Sequence, residues 1–219
     1  MTLTRGLLNA RFCYVLFCSS TALAVAQPSL RITSPVDGTV VTTGQTFKVT
    51  VEASGGPFQA VFIVCNDPIG TTISLAAPPY EFSIPIPDKG KIEARKYLIT
   101  ADGYTSPGHG VNSESVAVLV EPSEPPVSLR ADPPALYLAV GEKVGYLSVI
   151  GTFTDGTYMY ISQSTRNKYT STATSVVTVD AHGIVTAVGL GSAKLVVMHG
   201  EAKVEVPIEV SKEGLRIRE

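Results

Sequence analysis

Three histidines carry the imidazoles that could act as a general base in this sequence, and they are His109, His182 and His199. Each of them adjoins a glycine, in a stretch typical of a turn or a strand end. A catalytic base needs a nucleophile and an orienting group beside it. The chain contains no Gly-x-Ser-x-Gly, His-Glu-x-x-His or phosphate-binding glycine motif to supply them. We therefore interpret the three histidines as turn residues, and the sequence predicts no catalytic residue and no cofactor.

Carboxylates could form a different kind of centre, as ligands of a calcium ion. Calcium sites cluster oxygen ligands at close spacing, as in Asp-x-Asp-x-Asp. The aspartates of this chain are instead scattered, and turn formation is the ordinary role of such residues. Those in or beside predicted turns are Asp37, Asp67, Asp88, Asp102, Asp155 and Asp180. We predict no metal site, with a calcium ion at a domain junction as the alternative.

A pair of tyrosines is the first candidate binding surface. Tyr158 and Tyr160 point to the same side of a short predicted strand, and Met159 and Ile161 point to the other. Tyrosine rings on a sheet face can stack on sugars or pack in a protein interface. The alternative is that the tyrosine side faces the core and that Met159 and Ile161 pack at an edge.

A glycine-rich stretch is the second candidate. Residues 102–112 contain Tyr104, His109 and three glycines, and we predict a loose loop there. A loop of 11 residues is long for a compact sandwich, and such loops are often functional.

The first 26 residues have the features of a secretory signal peptide. Arg5 and Arg11 charge its beginning, Phe12–Phe17 starts an apolar core, and Ala24-Val25-Ala26 is an A-x-A cleavage pattern. We predict cleavage after Ala26 and a secreted, periplasmic or cell-surface location. An uncleaved N-terminal anchor is the alternative, although the apolar core is shorter than the roughly 20 residues of a membrane span. No later stretch is predicted to cross a membrane.

The mature chain is acidic and has one cysteine. Loss of Arg5 and Arg11 leaves 15 of the 17 basic residues against 19 acidic ones, a net charge of −4. This charge disfavours nucleic acid as a partner, because phosphate binding needs a basic surface. Cys65 alone remains once the leader is removed, so no internal disulfide forms. It lies in an apolar run, and we predict a small buried hydrophobic residue.

Short apolar runs separated by glycine-bearing turns dominate the remaining sequence. The stretch 175–197 shows this most clearly, with apolar runs Val176–Val179, Ile184–Val188 and Ala193–Met198. Such spacing is typical of an antiparallel β-sandwich. A run that alternates apolar and polar residues, Ala202–Val210, ends the pattern, and Pro207 within it predicts an edge or bulged position.

A proline-rich stretch divides these runs into two groups. Residues 122–126 contain three prolines, which favours an extended, semi-rigid spacer that few contacts cross. We therefore predict a signal peptide (1–26), a first β-sandwich (27–121), a linker (122–126), a second β-sandwich (127–210) and a charged tail (211–219).

The second predicted sandwich carries a recognisable set of short motifs. They are Gly141-Glu142, Phe153-Thr154-Asp155-Gly156, Tyr169-Thr170-Ser171, Val177-Thr178-Val179-Asp180, Gly183-Ile184-Val185-Thr186-Ala187, Gly191-x-Ala193 and the strand Val204–Val210. With these motifs the segment resembles a bacterial immunoglobulin-like domain of group 2, the kind repeated in invasin- and intimin-type surface proteins. Tyr169 stands where that family usually has Trp, so its hydroxyl needs a hydrogen-bond partner.

The first predicted sandwich carries weaker motifs in a matching order. They are Ser34-Pro35-Val36-Asp37-Gly38-Thr39-Val40, Gly44, Pro78-Pro79-Tyr80-Glu81-Phe82 and Tyr97-Leu98-Ile99-Thr100-Ala101. This segment resembles another subtype of bacterial immunoglobulin-like domain. It departs from the pattern at Gly90–Lys96, where the longer, charged stretch predicts a protruding loop or a bent strand.

The resemblance implies a non-enzymatic structural or adhesive module that acts as a spacer and interaction scaffold. Its implied partner is a protein or glycan of the cell envelope or extracellular surface. A carbohydrate-binding module that uses Tyr158 and Tyr160 is the alternative, and an enzyme is the hypothesis that the sequence supports least.

Overall fold

The computed structural model describes residues 26–145 and 147–213, and every regular element among them is a β-strand. The predicted signal peptide lies outside the described residues except for Ala26, and so does most of the predicted tail. Within the described part of the chain, no helix has the length and apolar character needed to cross a membrane.

The first half of the chain forms two facing sheets. Its strands are β1 (Ser29–Ser34), β2 (Thr39–Thr42), β3 (Thr46–Ser54), β4 (Ala60–Cys65), β5 (Tyr80–Pro85), β6 (Lys96–Ser106), β7 (His109–Asn112) and β8 (Val116–Glu121). One sheet has the order β1-β3-β5, and the other has the order β2-β8-β6-β4, with β7 paired to β6. All pairs are antiparallel except β2 with β8.

The second half repeats this plan with different strand lengths. Its strands are β9 (Ser128–Asp132), β10 (Leu136–Ala139), β11 (Lys143–Val144), β12 (Ser148–Thr152), β13 (Tyr158–Tyr160), β14 (Asn167–Ser171), β15 (Val177–Val179), β16 (Val185–Ala187), β17 (Gly191–His199) and β18 (Ala202–Ser211). The sheets have the orders β13-β12-β9, β10-β18-β17-β14 and β11-β16-β15.

Both halves begin in the same way. The first strand pairs antiparallel with one sheet, β1 with β3 and β9 with β12, and the next strand crosses to pair in parallel with the last strand of the half. Between the sheets, alternate side chains such as those of Val49, Ile99, Val149 and Leu195 are fully buried. The predicted all-β fold of two immunoglobulin-like sandwiches is thus confirmed by strand order and burial.

The predicted loop 102–112 is wrong, because this stretch is a β-hairpin. Strand β6 continues to Ser106, and β7 turns back to pair with it. Gly103 lies within β6, where an added Cβ would be 2.9 Å from the carbonyl oxygen of Ala60. Its glycine therefore marks a close approach of two backbones rather than a loop.

Pro207 lies in β18, which has a paired strand on both sides only from Ile208 onward. Strand β18 lies between β10 and β17, yet the ladder to β10 begins only at Ile208. At Pro207 the strand is paired with β17 alone, opposite Lys194. The local edge character predicted from the proline is present, because the residue lacks the N–H that a second neighbour would need.

Candidate functional site at the seam between the sandwiches

The two sandwiches touch along a seam, which we define as residues 87–95 and 121–126 on one side and residues 153–166 on the other. The backbone N–H of Ala94 donates to the carbonyl oxygen of Tyr160 over 2.8 Å. Ile92 and Ala94 are buried there. The prediction of a protruding loop at Gly90–Lys96 is therefore wrong. The segment instead covers the outer edge of β13, whose polar groups would otherwise be unpaired.

Glu121 is the last residue of β8 in the first sandwich, and its side chain is bonded to the second sandwich. Its side chain is only 1% exposed. The carboxylate accepts hydrogen bonds from the Ser164 hydroxyl (2.5 Å), the Thr165 hydroxyl (2.8 Å) and the Thr165 backbone N–H (2.8 Å). A buried charge is stable only when donors replace its lost water. These donors come from the other sandwich, so the carboxylate is satisfied only while the two remain in contact.

His199 lies beside this carboxylate and is 2% exposed. Its Nδ1 is 2.9 Å from Oδ1 of Asn167, whose Nδ2 donates to the carbonyl of Ile161 and to the Tyr169 hydroxyl. The interpretation of His199 as a turn residue is therefore wrong, because its side chain points inward from the last residue of β17.

The hydrogen-bond pattern decides what His199 can do. Asn167 presents its oxygen to the ring, so Nδ1 carries the hydrogen and donates. Burial lowers the pKa of His199, the charge of Arg166 lowers it further, and Glu121 opposes both. Ser164 lies 3.5 Å from Nδ1 but donates its proton to Glu121. A ring nitrogen that already bears hydrogen cannot accept the serine proton, so these residues are arranged as a structural network.

Lys89 makes a second connection across the seam. Its ammonium forms ion pairs with Glu124 and with Asp155 (3.3 Å), and it lies 4.6 Å from the ring centroid of Phe153. The hydrogen bond to Glu124 is the main cause of its raised pKa. Hydrogen bonds from Thr157, and then Lys89, lower the pKa of Asp155 to about 2.

The proline-rich stretch takes part in these contacts. The carbonyl of Pro122 accepts a hydrogen bond from Arg166 (3.2 Å), and the Thr43 hydroxyl lies 3.3 Å from the Ser123 hydroxyl. Glu124 contacts Lys89 on one side and Thr154 on the other. Our expectation that few contacts cross this stretch is wrong. Its carbonyl and side-chain groups bond to residues of both sandwiches.

Tyr158 and Tyr160 lie at the seam on the outward side of β13. The residue between them in the sequence, Met159, is buried. The tyrosines are 54% and 42% exposed. Both line a groove of about 360 Å³ whose opposite wall is formed by the first sandwich, with Lys91 and Arg95 among its residues.

Tyr104 and His109 lie far from this groove. Both belong to the hairpin of β6 and β7, and Tyr104 is 46% exposed with its ring 5.9 Å from that of Phe62. The Nδ1 of His109 lies 3.0 Å from the Ser106 hydroxyl. Strand β6 starts at the seam and runs away from it, which puts Tyr104 roughly 25 Å along the strand from Lys96. The structure does not bring the two candidate surfaces together.

The remaining candidate residues make contacts that stabilise the fold. His182 is exposed in a turn, where the carboxylate of Asp180 accepts the N–H groups of His182 and Ile184. Cys65 is buried, which raises the pKa of its thiol to about 11. Among residues 26–145 and 147–213, no three His, Cys, Asp or Glu side chains are grouped so that they could hold a metal ion. The Tyr169 hydroxyl donates to the carbonyl of Ser162 (2.8 Å), the partner its position required.

No protein family model and no curated protein sequence matches the chain. Several solved structures are similar to it in fold. The fibronectin(III)-like modules of Clostridium thermocellum CbhA have 24% identity and a TM-score of 0.35, with 42% of this chain and 93% of that chain covered. The D00-D0 domain of intimin has 13% identity and a TM-score of 0.35, with 84% and 100% covered. The S-layer protein rSbsC(31-844) has 17% identity and a TM-score of 0.35, with 86% of this chain but only 28% of that chain covered.

Proposed function

We propose that this chain is a non-enzymatic structural module of the cell surface or extracellular space. Two sandwiches held at one angle act as a spacer and as a scaffold for interaction with the envelope. The observation that carries this proposal is the buried Glu121, which the first sandwich supplies and the second sandwich satisfies.

Fixed geometry is what distinguishes such a module from two independent domains. Domains on a proline-rich linker move relative to each other by default, unless their interface resists it. Separating these sandwiches would break the three hydrogen bonds of Glu121 and the ion pair of Lys89 with Asp155, and would expose Ile92 and Ala94. Because the loss of these contacts opposes separation, the two sandwiches keep their relative orientation. A spacer needs this property, since it transmits force and orientation only when it does not bend.

Export is the other part of the proposal. The predicted leader 1–26 and the resemblance to group 2 immunoglobulin-like domains both support a location outside the cytoplasm. We expect the exported protein to begin at Gln27, which N-terminal sequencing of the secreted or surface-released protein would establish. A protein that keeps Met1 or the apolar core would support the uncleaved anchor instead.

The spacer role is tested by the tumbling of the two sandwiches in solution. Backbone ¹⁵N relaxation of residues 27–219 should give one rotational correlation time for both sandwiches. Glu121→Ala should separate the two values, because the donors of Ser164 and Thr165 lose their shared acceptor. Glu114→Ala, which removes an exposed carboxylate elsewhere on the first sandwich, serves as the control and should change neither value. Two different correlation times in the unmodified protein would refute a fixed spacer.

A further inference from the structure

The groove at the seam has one wall from each sandwich. Asp67, Lys91, Glu93 and Arg95 line it on the first sandwich, and Tyr158 and Tyr160 line it on the second. A smaller cavity of about 270 Å³ continues beyond Tyr160 and is lined by Glu93, Ser148, Ser162 and Gln163. Glu93 and Tyr160 line both cavities, so the two are direct neighbours.

The hydroxyl groups of the two groove tyrosines take no part in the hydrogen bonding of the fold among the described residues. Among the described residues, neither the Tyr158 nor the Tyr160 hydroxyl has a hydrogen-bond partner, whereas the hydroxyls of Tyr97 and Tyr169 bond to backbone carbonyls. Ile150, directly opposite Tyr160 in the ladder, is 1% exposed and lies outside the main core cluster. The rings therefore belong to a supported, outward-facing aromatic surface.

The polar groups around the rings carry balanced charge. Lys91 and Arg95 donate, and Asp67 and Glu93 accept, so the charges of these four side chains cancel. Arg95 is stacked on the ring of Tyr97 at 4.6 Å, and its Nε forms an ion pair with Oε2 of Glu93 at 3.6 Å but has no hydrogen bond among the described residues. Donors and acceptors at short intervals suit a ligand whose own groups both donate and accept.

We infer that this groove binds a neutral oligosaccharide. A sugar ring presents an apolar C–H face, which packs on an aromatic ring, and hydroxyl groups that both donate and accept hydrogen bonds. The charges of the two acidic and two basic residues cancel, so the groove offers no net attraction to a charged ligand. An extended peptide that adds a strand is excluded at β13 where Ala94 already bonds to the carbonyl of Tyr160. The inference rests on the proposed spacer in one respect, since both sandwiches must stay in contact to form the groove.

A second groove offers an internal comparison. It has a volume of about 600 Å³ and lies on the outer face of the second sandwich, where Tyr137, Lys194 and Glu205 line it. Glu205 there accepts from Lys194 (2.8 Å) and contacts Lys203 (2.6 Å), which is closer pairing than the 3.6 Å between Arg95 and Glu93 in the seam groove. Tyr137 is 52% exposed, close to the value for Tyr158, so its replacement is a matched control.

Affinity gel electrophoresis of residues 27–219 tests the inference, with soluble β-glucan, galactomannan and neutral arabinoxylan as probes. We expect retardation by at least one of them. Tyr158→Ala and Tyr160→Ala should each weaken it at least tenfold, and Tyr137→Ala should leave it unchanged. Tyr160→Phe should retain most of the binding, because it keeps the ring. Thermal unfolding of each variant establishes that it is folded.

Three outcomes would overturn the inference. In the first, none of the three probes retards the protein. In the second, Tyr137→Ala abolishes binding and the seam variants do not. In the third, no polysaccharide binds, but the protein binds peptides from a library and Tyr158→Ala abolishes that binding. The relaxation experiment on the unliganded protein is independent of these results, so failure of sugar binding is distinguishable from failure of the spacer.

Discussion

At the scale of single residues, the informative side chains are polar ones that the fold has buried. Glu121 and His199 are 1% and 2% exposed, and each is surrounded by hydrogen-bonding partners. Their surroundings fix their position. Glu121 accepts three hydrogen bonds from Ser164 and Thr165. His199 donates from Nδ1 to an amide oxygen and is held in its neutral form by burial.

The buried His199 predicts a specific dependence of stability on pH. Its pKa in the folded protein lies below the ordinary value of 6.5, chiefly because burial disfavours the charged ring. The unfolded chain therefore binds a proton that the folded chain does not. The free energy of unfolding should fall as the pH falls below about 6.5, and this contribution should level off below the folded pKa.

Urea unfolding between pH 5 and pH 8 measures this effect, and His199→Gln should flatten the profile in that range. His182→Gln, which changes an exposed histidine, is the control and should keep the slope of the unmodified protein. A slope that persists in His199→Gln would assign the effect to another group. The carboxyl groups of Asp155 and Glu205, whose pKa values are lowered to about 2, titrate at much lower pH.

At the scale of elements, short strands depend on what their turns pack against. The turn between β15 and β16 contains Gly183, which lies directly over the ring of Tyr169. The ring in turn is fixed by the hydrogen bond of its hydroxyl to Ser162. Tyr169 occupies the position at which group 2 immunoglobulin-like domains usually have the larger ring of Trp. Because Gly183 has no Cβ, the turn can pack directly on the Tyr169 ring.

We predict that Gly183→Ala destabilises the protein more than Gly156→Ala does. Both glycines have a left-handed backbone, with φ of +81° and +78°, so both variants share that strain. An added Cβ at Gly183 would lie 2.9–3.2 Å from Tyr169 ring atoms, whereas at Gly156 nothing lies within 4 Å. The clash should add about 1–3 kcal/mol to the loss in the free energy of unfolding. Equal losses in urea unfolding would mean that the ring can move aside.

At the scale of the whole molecule, the seam connects the two sandwiches through contacts from both of them. Segment 87–95 of the first sandwich covers the edge of β13, and Glu121 reaches into the second sandwich. Lys89, which also pairs with Glu124, forms an ion pair with Asp155 of the second sandwich. The groove between these contacts exists because the sandwiches meet at this angle.

A double-mutant cycle on Lys89→Met and Glu124→Gln should give a coupling energy of about 1–2 kcal/mol. The Lys89 side chain is 12% exposed, although that of Glu124 is 40% exposed, so solvent screens the pair incompletely on the Lys89 side. The pair Lys194 and Glu205, whose side chains are 55% and 38% exposed, is the control and should give no more than about 0.5 kcal/mol. Coupling energies that do not differ in urea unfolding would show that the contact adds no more than an ordinary surface ion pair.

The local pattern of apolar residues and turn residues was sufficient to predict the all-β class, the antiparallel strands and the burial of Cys65. Alternation along a run such as Thr46–Ser54 records which side of a strand is apolar, and glycine and proline mark where strands turn. The same local signals misjudged residues 102–112, because a glycine that permits close backbone contact looks like a glycine that makes a loop.

Only the tertiary structure decided the seam. Glu121 and Ser164 are 43 positions apart, and Ala94 and Tyr160 are farther still. Sequence periodicity says which way a side chain points but not what will cover it, so His199 could be mistaken for a turn residue and Gly90–Lys96 for a protruding loop. Tyr158 and Tyr160 were found from their spacing in one strand. That they share a groove with the first sandwich follows from the docking of two domains, which no local pattern encodes.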